Sequence, residues 1–177
     1  MILLAQGKLY LPDGKLTIFS PGYYFTYNPN FDVNWFSQGF IRSVHAIAIF
    51  SPFDNANSQV SVYSGEPDEM PKDATRAFSI PIKLESECLQ FDCDAEDYYG
   101  ELGIPLEPAN YMLTVFQFTD RGSGGDNTPD LKFEIFIQPC NSQEMKGETL
   151  IADELLKGRG VEFAEVQPEN YSDRYVD

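Results

Sequence analysis

Short runs of alternating apolar and polar residues recur along the chain, each bounded by turn residues. Lys15 to Phe19 alternates, and Tyr23 to Tyr27 is an aromatic run entered from a Pro21-Gly22 turn. Val44 to Phe50 places Val44, Ala46, Ala48 and Phe50 on one face and His45, Ile47 and Ile49 on the other. Both faces are largely apolar, which predicts a central strand buried on both sides. Gln59 to Ser64 alternates through Val60 and Val62. Arg76 to Ile82 contains Pro81, which points to an edge or a bulge because proline cannot donate to a ladder. Glu87 to Asp92 sets Leu89 and Phe91 against Cys88, Gln90 and Asp92. Tyr111 to Phe118 and Lys132 to Gln138 read as adjacent antiparallel strands, joined by a Gly-, Asp- and Pro-rich loop from Thr119 to Leu131.

The spacers carry Pro-Gly, Ser-Gly, Asn and Asp where turns need them. About eight short strands so spaced predict an all-β fold, an antiparallel β-sandwich. One short helix is expected near the C-terminus, from Leu150 to Lys157, with Thr149 as N-cap and Gly158 as stop. The length fits one domain over 1–177. Residues 141–177 read as an acidic C-terminal extension, polar after Gly160 and ordered only in part. No repeat or second domain is visible.

Composition narrows the class. The chain is 42% hydrophobic and 14% aromatic, too apolar for an acidic disordered protein. Its three cysteines, Cys88, Cys93 and Cys140, offer no disulfide framework, so a reducing cytoplasm is expected. Met1 to Ala5 lacks the basic region of a secretion signal, and no apolar run reaches membrane-spanning length.

Charge changes the picture most. The formal net charge is -16. Between Leu84 and Asp120 there is no Lys or Arg, while Glu85, Glu87, Asp92, Asp94, Glu96, Asp97, Glu101, Glu107 and Asp120 are acidic. A fixed negative field repels nucleic acid and anionic membrane and draws in basic proteins and cations. Twelve Lys and Arg, scattered singly, form no phosphate-binding face. Set against this is the plainer reading, that acidity keeps the protein soluble.

Catalytic signatures are sparse. His45 is the one histidine, and it lies in an apolar strand, where a satisfied core or interface residue is the commoner role than a base. There is no Gly-x-Ser-x-Gly elbow, no phosphate-cradling Gly-x-x-x-x-Gly-Lys and no Gly-x-Gly-x-x-Gly. A zinc site would need Cys88, Cys93, Cys140 and His45, and the Cys88–Cys93 step does not match usual zinc spacing. Asp92, Asp94 and Glu96 alternate as in an EF-hand, but Asp97 stands where its glycine belongs and Gly103 where its glutamate belongs. Asp120, Asp126 and Asp130 form a second candidate calcium cluster. No enzyme activity, cofactor or resident metal is predicted.

A family resemblance rests on scattered motifs. Trp35-Phe36-Ser37-Gln38-Gly39-Phe40-Ile41-Arg42 leads into Ile47-Ala48-Ile49-Phe50. Val60 and Val62 follow, then Arg76-Ala77-Phe78-Ser79-Ile80-Pro81-Ile82, then Ile104-Pro105 before Asn110-Tyr111-Met112-Leu113. This order resembles the competence protein J family, inhibitors of a bacterial DNA-entry nuclease. Asn110 departs from the family's glycine, and the stretch from Asp92 to Glu101 and the tail after Cys140 have no counterpart. The resemblance implies a protein that binds and inhibits a nuclease. Charge points the same way, since a nuclease cleft is basic and an acidic surface can occupy it. The expected partner is therefore a nuclease or a similar cationic toxin. On charge, the contact residues are Asp92, Asp94, Glu96, Asp97 and Glu101, with Tyr98 and Tyr99 as anchors or, equally, as core residues beneath the loop. A small-ligand or sugar-binding sandwich with a calcium-dependent loop is the alternative.

Overall fold

A computed structural model describes residues 1–11, 14–25, 39–53, 56–92, 102–120, 130–141, 147–153 and 173–175. Among them the chain is all-β, with thirteen strands. In chain order these are β1 (Ile2–Leu11), β2 (Lys15–Phe19), β3 (Tyr23–Phe25), β4 (Phe40–Arg42), β5 (Ala46–Phe50), β6 (Ala56–Ser64) and β7 (Arg76–Lys83). Then come β8 (Cys88–Asp92), β9 (Leu102–Pro105), β10 (Asn110–Asp120), β11 (Asp130–Pro139), β12 (Glu148–Ile151) and β13 (Asp173–Tyr175).

Two sheets face each other. The larger runs β1-β6-β11-β10-β7-β12 and the smaller β4-β5-β2-β8-β9, while β13 and β3 pair alone. Pairing is antiparallel except between β11 and β6, which run parallel. The core lies between the sheets. Val60, Phe78, Leu113 and Ile135 from the larger pack with Leu16, Ile18, Ile47, Leu89 and Phe91 from the smaller. Burying each such side chain favours folding by about 1.5–3 kcal/mol, so the alternation read in the sequence becomes the force joining the sheets.

The predicted strands hold with shifted ends, except that of the run Tyr23 to Tyr27 only Tyr23–Phe25 is seen as strand, residues 26–27 lying outside the described residues. β5 lies between β4 and β2 and is buried on both faces: Ile47 and Ile49 in the main core, Ala46 and Ala48 with Ile41 on the other side. Its start moves from Val44 to Ala46, because Ser43 Oγ accepts from the Ala46 backbone N–H and Val44 and His45 form a bend. β10 and β11 pair in continuous register from Tyr111↔Pro139 to Asp120↔Asp130, so Thr119, Asp120, Asp130 and Leu131 belong to strands and not to the loop. Pro81 sits in β7 opposite Met112, beyond the stretch of β7 that pairs with β12, where no ladder N–H is needed and the Pro81 carbonyl accepts from Arg42 instead.

Two expectations are corrected. Thirteen strands replace about eight, because β1, β4, β9, β12 and β13 lack clean alternation. The predicted helix from Leu150 to Lys157 starts instead as strand. Thr149 pairs with Phe78 and Ile151 with Ala77 on the edge of β7, and Leu150 and Ile151 pack on Ala77, Phe116 and Phe136. A helix that short is marginal alone, and sheet pairing with side-chain burial outweighs it. Ala152 and Asp153 carry no helical turn; residues 154–158 lie outside the described residues.

Candidate partner-binding surface

The acidic stretch leaves the smaller sheet at its edge. Asp92 ends β8, opposite Thr17 of β2, and Leu102 begins β9, which pairs back onto β8. Asp92 is half-buried. Asp94, Glu96, Asp97, Tyr98, Tyr99 and Glu101 lie outside the described residues, as does Cys93. What the fold fixes is where that stretch begins and ends, on the outermost strand pair of a five-stranded sheet.

The other acids of the run have separate surroundings. Glu87 and Glu107 are exposed. Glu85 is not an open charge. Lys83 Nζ donates to its Oε1 at 2.6 Å and Tyr23 Oη donates to its Oε2 at 2.5 Å. Those two donors, lysine first, hold its carboxyl down at about 2. Its backbone N–H donates to Ser20 Oγ at 3.2 Å, which ties the turn after β7 to the end of β2. The sequence run without cations starts one residue after Lys83, and that neighbour neutralises Glu85. Lys83 and Glu85 are two apart in sequence, so their proximity could have been inferred; the part played by Tyr23, 62 positions away, could not.

His45 belongs to the same cluster. Its ring stacks on Tyr23, with centroids 4.0 Å apart and planes 23° from parallel. Its Nδ1 is 3.1 Å from the Lys83 carbonyl oxygen, and its Nε2 is 4.0 Å from Glu85 Oε1. This is a packed and hydrogen-bonded histidine. No group of three or more His, Cys, Asp and Glu side chains able to hold a metal gathers among the described residues, so Cys88, Cys140 and His45 do not converge. In the second calcium cluster, Asp120 and Asp130 are register partners at the mouth of the β10–β11 hairpin, while Asp126 lies outside the described residues.

Interior cations are committed to the scaffold. Arg76 donates to Asp153 Oδ2 at 2.8 Å and to the Phe50 carbonyl at 2.8 Å. Arg42 donates to the Pro81 carbonyl at 3.2 Å, and burial lowers its pKa. At the surface, Lys132 Nζ contacts Glu134 at 2.5 Å and sits 5.0 Å over the Phe118 ring. Glu66, Asp68, Glu69 and Asp73 stand exposed on the loop between β6 and β7.

One open groove of about 880 Å³ crosses the outer face of the larger sheet. Register sets Lys8, Gln59, Lys132 and Phe118 in one row over β1, β6, β11 and β10, with Tyr10, Asn57 and Asp130 in the next. The lining mixes both signs of charge with amides. Sequence reading missed it because it depends on the parallel β6–β11 pairing, which no local pattern announces.

No protein-family model matches the sequence, and no curated protein matches it. Solved structures do. ComJ from Bacillus subtilis, described as an inhibitor of the DNA degrading activity of NucA, aligns with a TM-score of 0.53 at 13% identity, over 77% of this chain and 98% of that one. The crocagin biosynthetic gene J protein aligns at 0.43 and 12%, over the same shares of the two chains. The family resemblance read from the motifs is thus met by ComJ at the level of fold.

Proposed function

We propose that this chain is a non-catalytic acidic protein of the cytoplasm that binds a nuclease, or a similarly basic toxin, and blocks it stoichiometrically. The observation that carries the reading is the charge, 28 Asp and Glu against 12 Lys and Arg, on a sandwich that shares its fold with ComJ. Among the described residues the open charge is mostly negative, with Lys8 and Lys72 as exposed exceptions. Arg42 and Arg76 are buried, Lys83 and Lys132 are tied to carboxylates, and Glu66, Asp68, Glu69, Asp73, Glu87 and Glu107 are exposed. A basic active-site cleft holds phosphates, and a carboxylate surface can take their place, speeding capture by about 10- to 1,000-fold at low salt.

Asp92, Asp94, Glu96, Asp97 and Glu101, with Tyr98 and Tyr99, remain the proposed contact, because the stretch leaves and rejoins the sheet at its outermost strands. The test starts with capture from a lysate of the source cell on the immobilised chain, followed by a DNA-degradation assay of the salt eluate. The purified nuclease is then titrated with the chain. Activity should fall linearly to a fixed stoichiometric endpoint. Reversing Asp94, Glu96 and Asp97 to lysine should slow association, chiefly at low salt. Unchanged affinity and salt dependence in that variant would move the contact elsewhere, and full nuclease activity in molar excess of the chain would end the reading.

The groove motivates one second reading, a small-ligand site with calcium held by the loop between Asp120 and Asp130, whose ends are register partners. A melting temperature raised several degrees by calcium and returned by chelator would select it, because a ligand of the native state stabilises by mass action.

A further inference from the structure

We propose that β1 pairs edge to edge with β1 of a second copy, joining two six-stranded sheets into one across a twofold axis. β1 ends the larger sheet, and among the described residues no strand pairs with its outer edge. Its first half is apolar and open: Met1 and Ile2 are 68% exposed, Leu3 52% and Leu4 38%. An edge strand presents unpaired N–H and C=O groups, and proteins commonly guard such edges with charge, proline or bulges. Here Met1 to Gly7 contains no charged side chain, and across β1 and β6 the only one is Lys8. The bulge between Leu3 and Ala5 shortens the stretch that can pair. One such contact falls below about 1,200 Å², the lower end of stable interfaces, so the pairing is weak and reversible.

Charge selects the occupant. A basic partner is drawn to the carboxylates and gains nothing from an uncharged edge that carries Lys8. Two copies at -16 each repel over most of their surface. They can meet where neither presents an acid, and an antiparallel strand pair is self-complementary under a twofold. This gives a signature opposite to that of nuclease capture. The dimer should tighten as salt rises, because the Debye length falls from about 30 Å at 0.01 M to about 3 Å at 1 M. The inference does not depend on the nuclease reading, since dimerisation is measured with this chain alone.

The test is sedimentation equilibrium of the full chain, without an N-terminal tag, from about 10 µM to about 1 mM, the range of a small weak interface. The average mass should climb from one chain towards two, at lower concentration in 0.5 M salt than in 0.01 M, by about tenfold. Ile2→Lys combined with Leu3→Lys should stay monomeric in high salt with an unchanged melting temperature. If the lysines lower that temperature, Ile2→Ser with Leu3→Ser replaces them. Met70→Lys, at an exposed apolar residue elsewhere, should dimerise like the parent. A one-chain mass throughout, a dimer that dissociates as salt rises, or a dimer that survives the β1 changes each overturns the proposal.

Discussion

Asp153→Ala should be among the most damaging single changes at a side chain that still reaches solvent. Arg76 is 3% exposed. Its guanidinium lies 2.7 Å from Asp153 Oδ2 through Nη2 and 2.8 Å through Nε, with Nη1 donating to the Phe50 carbonyl. Removing the carboxylate leaves a buried cation with one carbonyl as its remaining described acceptor. Breaking a buried pair in this way costs about 3–5 kcal/mol. The Asp153 side chain is 22% exposed, so water recovers part of that, and about 2–4 kcal/mol remains. For a chain of this size that lowers the melting temperature by about 5–15 °C. Arg76→Met with Asp153→Ala removes both charges and should return to within about 1 kcal/mol of the parent. Urea unfolding of the parent, the two single variants and the double variant gives the coupling energy directly. A cost below about 1 kcal/mol for Asp153→Ala, or a double variant no more stable than that single one, would refute the idea that this pair pins the end of β12 to the sandwich.

Three further outcomes are expected. Gly14 has φ +60, and a Cβ there would stand 2.0 Å from the Phe53 carbonyl oxygen; Gly14→Ala should cost about 2–4 kcal/mol in urea unfolding, and a loss under about 1 would contradict the clash. Gln117 is fully buried, and neither end of its amide has a hydrogen-bond partner among the described residues; Gln117→Leu should be neutral or stabilise by up to about 2 kcal/mol, and clear destabilisation would reveal a missed partner. Glu85 is held at about 2 from an ordinary 4.5, so its contribution is full above about pH 4.5 and lost as pH falls towards 2; the stability gap between the parent and Glu85→Gln should close over that window, and a pH-independent gap would show that the Lys83 and Tyr23 bonds do not act through the charge.

The strands that could be read in advance were those with one clean repeat. β8 shows Leu89 and Phe91 inward as alternation requires, and β10 pairs with β11 as expected of neighbouring runs joined by one turn-rich loop. β1 escaped because Ile2-Leu3-Leu4 is continuous and Gly7 breaks the run before Lys8, and β9 because Gly103 and Pro105 read as turn. β12 reads as helix in the sequence because Leu150 to Lys157 has helix-forming residues with a capping threonine before them. Its state is decided by the open edge of β7, more than 60 residues earlier in the chain. For the candidate surface, composition gave the sign of the charge and the extent of the acidic run. It did not give the pairing of the exposed Glu85 with Lys83 and Tyr23 beside His45.

By itself the sequence settled that this is a β protein with apolar faces, strongly acidic and poor in catalytic signatures. Those properties depend on local period and on counts, which need no partner strand. The tertiary structure decided which sheet each strand joins, the parallel meeting of β6 and β11, the strand state of β12 and the burial of Arg42 and Arg76. Each depends on contacts between distant parts of the chain, where the area buried against a neighbour outweighs the small preferences a short segment carries alone.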